Sequence, residues 1–355
     1  MGKNEKEVVQ ISTQLTKQLL KNYKPSAAVL SDIKKVILKH DKFLLTTHTG
    51  ADPDGLGSEI GLLHLFKLLK KKAIIVNNER VPESMAFIAS GVNIYNIDEH
   101  REELEKKNLK DYLVLIIDSS EIRRSEKVVN FFQSKELDYL TIDHHPMPKN
   151  IRYMVDTSYA ATAELVWDLY HYLNIDIPKK AAIPLYTGIS ADSGNFRYSK
   201  TSFRTHLAAG ELIGFGISTD KIYRSIFEFF PFDRLEFTRR IMNKAVFNKE
   251  IGYSVACARQ SMFKGLKLGD SPTEGLVNQF LAVEGVEISA FITETPEKDL
   301  KCSLRSVGDV NVSEIAQKFG GGGHRNAAGL FQKGPFASGV AKIIAEIENC
   351  LKNQS

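Results

Sequence analysis

The sequence predicts an α/β protein: a parallel-sheet N-terminal domain, joined by a helical connector to a smaller α/β C-terminal domain with a mixed sheet. Three observations predict it. Short apolar runs alternate with stretches of helical spacing through the N-terminal half, the pattern of strands linked by crossover helices. The run YLVLIID, 112–118, is continuously apolar, as a strand buried on both faces must be. Beyond about residue 240, VEISAFITE and DLKCSLRS alternate in exposure instead, which points to a second sheet of another kind. At 355 residues the chain also exceeds what one hydrophobic core usually serves. The expected division is an N-terminal domain over 1–210, a connector over 211–240 and a C-terminal domain over 241–355.

Taken in order, Val8, Ile11, Leu15, Leu19 and Leu20, then Val29, Leu30, Ile33, Ile37 and Leu38, have helical spacing, with Pro25 separating two helices. Phe43, Leu44 and Leu45 form a short strand that delivers His48 at its C-terminal end. Ile60 to Leu69 read as a helix ending in the lysines 70–72, and Ala73 to Val76 as the next strand. A helical pattern over 82–107 leads to YLVLIID; a helix over about 121–135 leads to the strand YLTID. Tyr159 to Leu173 is expected as a helix with the single tryptophan, Trp167, packed in the core, and 181–191 as another. Gly210, Gly214, Gly216 and Pro231 mark the connector. In the second domain GYSVACA is a strand, 272–282 a helix, then come the two alternating strands and the helix VSEIAQKF.

Composition excludes little but excludes it clearly. Apolar content of 43% and charged content of 25% are ordinary for a globular protein, and a formal charge of +4 predicts no strong nucleic-acid-binding surface, so any anion site is local. Cys257, Cys302 and Cys350 are widely spaced, against both a disulfide framework and a thiolate zinc site. The polar N-terminus has no signal-peptide core and no run is long enough to span a membrane, so a cytoplasmic location and no membrane partner are expected.

The chemistry is concentrated in TTHTGADPDGLGS, 46–58, which packs His48, Asp52 and Asp54 into seven residues after an apolar run. Asp118, the pair His144 and His145 after Asp143, and Asp192 in GISADSGNF supply the same residue types later in the chain. His48, Asp118 and Asp143 each fall where a strand gives way to a loop, and ligands of open parallel sheets bind outside the carboxyl ends of the strands. Asp52, Asp54, Asp118 and Asp192 carry four charges, enough to neutralise two divalent ions, with His48 and His144 as imidazole ligands. A mixed carboxylate and imidazole set suits manganese, magnesium, iron or cobalt better than structural zinc. Such a pair activates water and stabilises attacking and leaving oxygens, so hydrolysis of a phosphate ester is the expected reaction. The EF-hand spacing that would indicate calcium is missing, and no GxSxG elbow or Walker loop competes.

In the second domain LRSVGDVNVSEIAQKFGGGGHRNAAG, 304–329, carries the signal. Four glycines after an amphipathic helix let backbone N–H groups approach an anion, with His324 and Arg325 following and Arg305 upstream; Ala327, Ala328 and Gly329 are expected to tighten the next turn.

The series His-x3-Asp-x-Asp, Asp118, Asp-His-His and Asp192 resembles the DHH phosphoesterase superfamily, and the 304–329 stretch resembles its DHH-associated C-terminal domain. Length places the resemblance nearer the nanoRNase and pAp-phosphatase subfamily than the longer RecJ exonucleases. The resemblance implies hydrolysis of very short oligoribonucleotides and dinucleotides to mononucleotides, with removal of the 3′-phosphate of pAp as a second activity; some relatives cleave c-di-AMP. It implies two divalent ions, manganese first, then magnesium or cobalt. His48 and Asp52 would bind one; Asp54, His144 and Asp192 the other; Asp118 would bridge. Asp143 would orient its neighbours, His145 would meet the scissile phosphate, and Arg305, Gly322, Gly323, His324, Arg325 and Arg197 would hold substrate from the facing side of a cleft. One departure is Ala51 before Asp52 and Pro53 between the acids, where the family commonly has Pro-Asp-Gly-Asp; the ligand spacing is kept. The alternatives are a pyrophosphatase, disfavoured by GGGGH, and a nucleotide sensor without turnover; a homodimer is left open.

Overall fold

The computed structural model describes residues 3–22, 27–119, 122–146, 153–228, 231–268, 272–273 and 275–352; Pro25 lies outside them. The chain divides into two compact units, Met1–Ile226 and Phe227–Ser355.

The first unit opens with two helices, α1 (Lys3–Asn22) and α2 (Ala27–Lys39). There follow β1 (Lys42–Thr46), α3 (Pro53–Leu68), β2 (Lys72–Asn77), β3 (Ile94–Asn96), α4 (Arg101–Lys106) and β4 (Leu113–Ile117). α5 (Glu126–Gln133), β5 (Tyr139–Asp143), β6 (Tyr153–Val155) and the helices α6 (Thr162–Tyr172), α7 (Lys179–Asp192), α8 (Phe203–Gly214) and α9 (Thr219–Tyr223) complete it. Its six strands run in the order β3-β2-β1-β4-β5-β6, all parallel. The continuous apolar runs are explained by burial on both faces. Along β4, Leu113, Leu115 and Ile117 join the core beneath α3, α6 and α7, while Val114 and Ile116 join the one beneath α5. Chain order reverses between β1 and β4, which makes the crevice above their carboxyl ends the topological switch point.

Two stretches differ from the expected elements. Residues 82–107 are not one helix: a 3-10 turn at Glu83–Met85, the edge strand β3 and the short α4 divide them. Gly91, in the left-handed region at φ 74°, turns the chain there and frees Ile94–Asn96 to extend the sheet. The helix expected from Tyr159 begins three residues later, at Thr162, and residues 158–161 run as a turn beneath the carboxyl ends of the strands.

The second unit contains α10 (Asp233–Met242), β7 (Val246–Asn248), β8 (Tyr253–Ala258), α11 (Gln260–Phe263), α12 (Leu276–Leu281), β9 (Ile288–Glu294) and β10 (Leu300–Ser306). α13 (Val312–Lys318), β11 (Gly322–His324), β12 (Ala327–Gln332) and α14 (Phe336–Lys352) follow. The sheet order is β11-β12-β10-β9-β8-β7, antiparallel except for the parallel pair β8 and β9, so the sheet is mixed. The glycine run is therefore not a free loop. Gly322 and Gly323 lie in an edge strand, and Ala327, Ala328 and Gly329 form its partner rather than a turn. A Cβ on Gly323 would come within 2.5 Å of the Ala327 carbonyl oxygen, and its φ of 142° also favours glycine. Close approach of β11 to β12 thus accounts for part of this run.

Candidate active site

The site is built on the ends of the three central strands. β1 runs out into Thr47 and His48, β4 into Asp118 and β5 into Asp143, and these strands are neighbours in the sheet. Asp118 sits at φ 55°, a left-handed conformation that aspartate tolerates better than most residues, and it turns the chain sharply off β4. Asp52 caps α3, its Oδ1 accepting from the amides of Asp54 (3.0 Å) and Gly55 (2.9 Å), which leaves Oδ2 facing His48 Nε2 at 3.4 Å. Asp192, the last residue of α7, meets His144 Nε2 at 3.1 Å.

Ligand-type atoms gather in overlapping groups. His48, Asp52 and Asp118 form one, and Asp54, His144 and Asp192 a second; a third joins Asp118 and His144 to Asp143 and His145. Asp118 links the sets: Oδ2 lies 4.0 Å from His48 Nε2 and Oδ1 3.6 Å from His144 Nε2. The structure thus brings together His48, Asp52, Asp54, Asp118, Asp143, His144, His145 and Asp192.

Hydrogen bonds from outside the cluster set the orientation of its members. The Tyr159 carbonyl accepts from His144 Nδ1 at 3.1 Å, so that nitrogen carries the proton and the lone pair of Nε2 faces three carboxylates. Asp54 accepts from the amides of Thr162 (2.7 Å) and Ala163 (2.8 Å), the first turn of α6, whose own N-cap, Ala161, has no side chain to offer. The Thr162 hydroxyl donates to Asp118 Oδ1 at 2.8 Å. Asp143 Oδ1 accepts from the amides of His144 and His145 and from His145 Nδ1 at 2.8 Å. At His48 the Thr49 carbonyl (3.0 Å) and Arg124 (3.2 Å) compete for Nδ1; donation to the carbonyl is the arrangement that leaves Nε2 with a lone pair facing Asp52.

Electrostatics fit this set to divalent cations. Burial, then the charges of Asp118, Asp192 and Asp52, raises the Asp54 carboxyl well above its usual range. Burial and Asp52 push Asp118 up to about 6. In the metal-free protein the neighbouring imidazoles stand in for a cation: against burial, the hydrogen bond with His48 holds Asp52 low and the proximity of His144 holds Asp192 low. Burial opposes charging His145, yet Asp143 and Asp118 outweigh it and push the imidazole up to about 9. Buried carboxylates this close are mutually repulsive unless a cation lies among them. Oxygen and imidazole donors in these proportions suit a divalent metal, and the cluster of acidic and histidine residues is a metal-binding arrangement.

Of the remaining candidates, Arg197 is exposed and stacks on Tyr198 with no contact among those above, while Arg325 braces the turn at Asp309 through its backbone carbonyl at 3.0 Å. Arg305 is half-buried on β10, and Gly322 and Gly323 are exposed on β11, which His324 ends. Sequence reading passed over Lys200, whose ammonium lies 3.5 Å from the His144 carbonyl, and the supporting residues Tyr159, Thr162, Glu164 and Arg204.

It also passed over Glu59, fully buried on α3, which accepts from Asn77 Nδ2 at 2.9 Å. Burial pushes its carboxyl from an ordinary value near 4.5 up to about 8. The folded chain therefore holds a proton here that the unfolded chain releases near pH 4.5, so this group lowers stability as pH rises between about 4.5 and about 8. Glu59→Gln should flatten that decline, leaving the metal-free variant more stable than the parent at pH 8 by roughly 4 kcal/mol. Denaturant unfolding at pH 5 and pH 8 measures it, and equal slopes in the two proteins would refute the assignment.

The DHH family N-terminal domain model matches residues 42–189, and the DHHA1 domain model matches 262–353. The bifunctional oligoribonuclease and PAP phosphatase NrnA of Thermus thermophilus is 31% identical over 292 residues, covering 82% of this chain and 84% of that protein. The cyclic-di-AMP phosphodiesterase PdeA of Listeria monocytogenes is 26% identical over 363 aligned positions, covering 96% of this chain and 52% of that protein. The crystal structure of an exopolyphosphatase-related protein from Bacteroides fragilis shares the fold, with a TM-score of 0.82 at 24% identity over 93% of this chain and 99% of that one. No described helix is long and apolar enough to cross a membrane. With both domain matches in order and a relative above 30% identity along most of both chains, the chain belongs to the DHH family of phosphoesterases.

Proposed function

We propose that this chain hydrolyses very short oligoribonucleotides and dinucleotides to nucleoside 5′-monophosphates, with removal of the 3′-phosphate of pAp as a second activity. The observation that carries the reading is the pair of ligand groups at the switch point of the sheet, His48, Asp52 and Asp118 in one and Asp54, His144 and Asp192 in the other, with Asp118 reaching His144 at 3.6 Å. The similarity to the Thermus oligoribonuclease and PAP phosphatase supports the substrate class. His48 and Asp52 would hold one divalent ion and Asp54, His144 and Asp192 the other, with Asp118 placed to serve both. Manganese is the proposed metal, with magnesium or cobalt as substitutes, and the location is the cytoplasm.

Bound there, the ions supply an activated water and screen charge on the phosphoryl oxygens. The protein's part is positional. Asp143 fixes the His145 ring through Nδ1, and that imidazole is the group that would meet a phosphate oxygen or the departing one. Arg305, Gly322, Gly323 and His324, with Arg197 and Arg325 as further contacts, take the rest of the substrate. Preference for short strands follows if those groups bind the end of the substrate rather than its length.

A second reading, cyclic dinucleotide hydrolysis, is favoured by the similarity to the Listeria phosphodiesterase. Manganese-dependent turnover of pApA, a five-residue RNA, pAp and c-di-AMP separates the two. Rapid cleavage of pApA and the pentamer with slow c-di-AMP is expected. Preference for c-di-AMP would replace the first reading with the second, and no turnover of any member would remove both in favour of a nucleotide sensor.

A further inference from the structure

The opposite edge of the first sheet carries a concentration of positive charge that the catalytic reading does not use. A cavity of about 480 Å³ opens where α3 ends and β2 and β4 begin. Its rim holds Lys67, Lys71, Lys72 and Lys180, with His64 beside them, and no carboxylate lines it. Lysines at the end of α3 have an ordinary explanation, since cations favour helix C-termini. Lys180 does not: it lies in the first turn of α7, where the helix dipole disfavours a cation and where no acid offsets it. Only Lys71 has a carboxylate partner, Asp41 at 2.6 Å; Lys67, Lys72 and Lys180 have none among the described residues. His64 reports the resulting field, since burial and then Lys180 and Lys67 lower its pKa. Four like charges, from the end of α3, the turn into β2 and the start of α7, converge on one cavity with a single counter-charge, Asp41 on Lys71.

The floor is apolar. Leu63, Ile74 and Val92 are half-buried and face the same space. A cavity with an apolar floor and a cationic rim suits a ligand that is ring-like at one end and anionic at the other. Along α3, Lys67 lies thirteen residues and Leu63 nine residues beyond Asp54, about 20 Å and about 14 Å of helix, so the cavity is separate from the catalytic cluster. We propose that this cavity is a second ligand site that takes a nucleoside phosphate, its phosphate against Lys67, Lys72 and Lys180 and its ring against Leu63, Ile74 and Val92.

The test is calorimetric titration of the full chain, stripped of metal by chelation, with AMP and separately with inorganic phosphate. AMP should bind, about tenfold or more tighter than phosphate, and the K67E/K180E variant should weaken AMP binding by about tenfold or more. Turnover of pApA by the same variant, restored to manganese, should stay within about twofold of the parent, which also shows that it folds. No AMP binding, or binding undiminished in the variant, would overturn the site. Equal affinity for phosphate and AMP would overturn the ligand class, since the apolar floor would then contribute nothing. The binding results do not depend on which substrate the catalytic cluster cleaves; the activity control does, and c-di-AMP replaces pApA in it where the parent prefers the cyclic dinucleotide.

Discussion

Asp118→Asn is expected to lower turnover of a dinucleotide by about a thousandfold or more while leaving the fold intact. The substitution is conservative in shape. Asparagine tolerates the left-handed φ of 55° at this position, and its Oδ1 still accepts from the Thr162 hydroxyl. What disappears is the charge that lies between His48 on one side and His144 on the other. Stability should move the other way. Burial and Asp52 hold the Asp118 carboxyl at about 6, so near pH 7 its ionised form is an uncompensated charge in the metal-free protein. The metal-free variant should therefore unfold at no lower temperature than the metal-free parent, as expected where a site trades stability for function. Steady-state kinetics with manganese, paired with thermal unfolding in chelator, measures both. Turnover within about tenfold of the parent would show that the chemistry does not run through Asp118.

The parts of this site that were legible in the sequence are those whose chemistry is local. His48, Asp118 and Asp143 follow apolar runs, and a strand that ends in a metal-type residue leaves its mark within a few positions. Asp52 caps the helix that its own loop begins, so one segment determines its geometry. What escaped is what depends on contacts distant in sequence. The start of α6 was placed three residues early because Ala161 offers no cap; the cap is Asp54, a little over one hundred residues away, through the amides of Thr162 and Ala163. β3 was hidden because three residues at a sheet edge are too few to establish an alternating pattern. The glycine run read as a ligand loop because glycine serves close backbone approach to a ligand and close approach between strands equally well, and only pairing distinguishes them. Glu59 and Asn77 gave no signal at all, since a single acid on an apolar helix reads as a solvated position until burial is known.

Arg204→Ala should destabilise the first unit by about 3–5 kcal/mol and weaken manganese affinity with it. Arg204 Nε donates to Glu164 Oε1 at 2.6 Å, and both residues are almost wholly buried. The guanidinium also donates to the Ser158 carbonyl at 3.1 Å and stacks 3.6 Å over the Tyr159 ring. Glu164 in turn accepts from the Ala160 amide and the Thr205 hydroxyl, each at 3.0 Å. These contacts fix residues 158–163, the same turn whose carbonyl orients His144 and whose amides hold Asp54. Removal of the arginine leaves Glu164 charged, buried and half-satisfied, which accounts for the stability loss. It also frees the turn, and loosening groups that orient metal ligands costs about 10- to 100-fold in metal affinity. Glu164→Gln combined with Arg204→Met separates the two effects. Removing both charges should recover much of the stability, because no buried ion is left unpaired. It should not recover metal affinity, because methionine cannot donate to the Ser158 carbonyl. Chemical denaturation and a manganese titration of activity read the two quantities independently. If the double variant regains tight manganese binding along with its stability, the pair serves only the fold; if Arg204→Ala costs less than about 1 kcal/mol, the buried pair does not hold the turn at all.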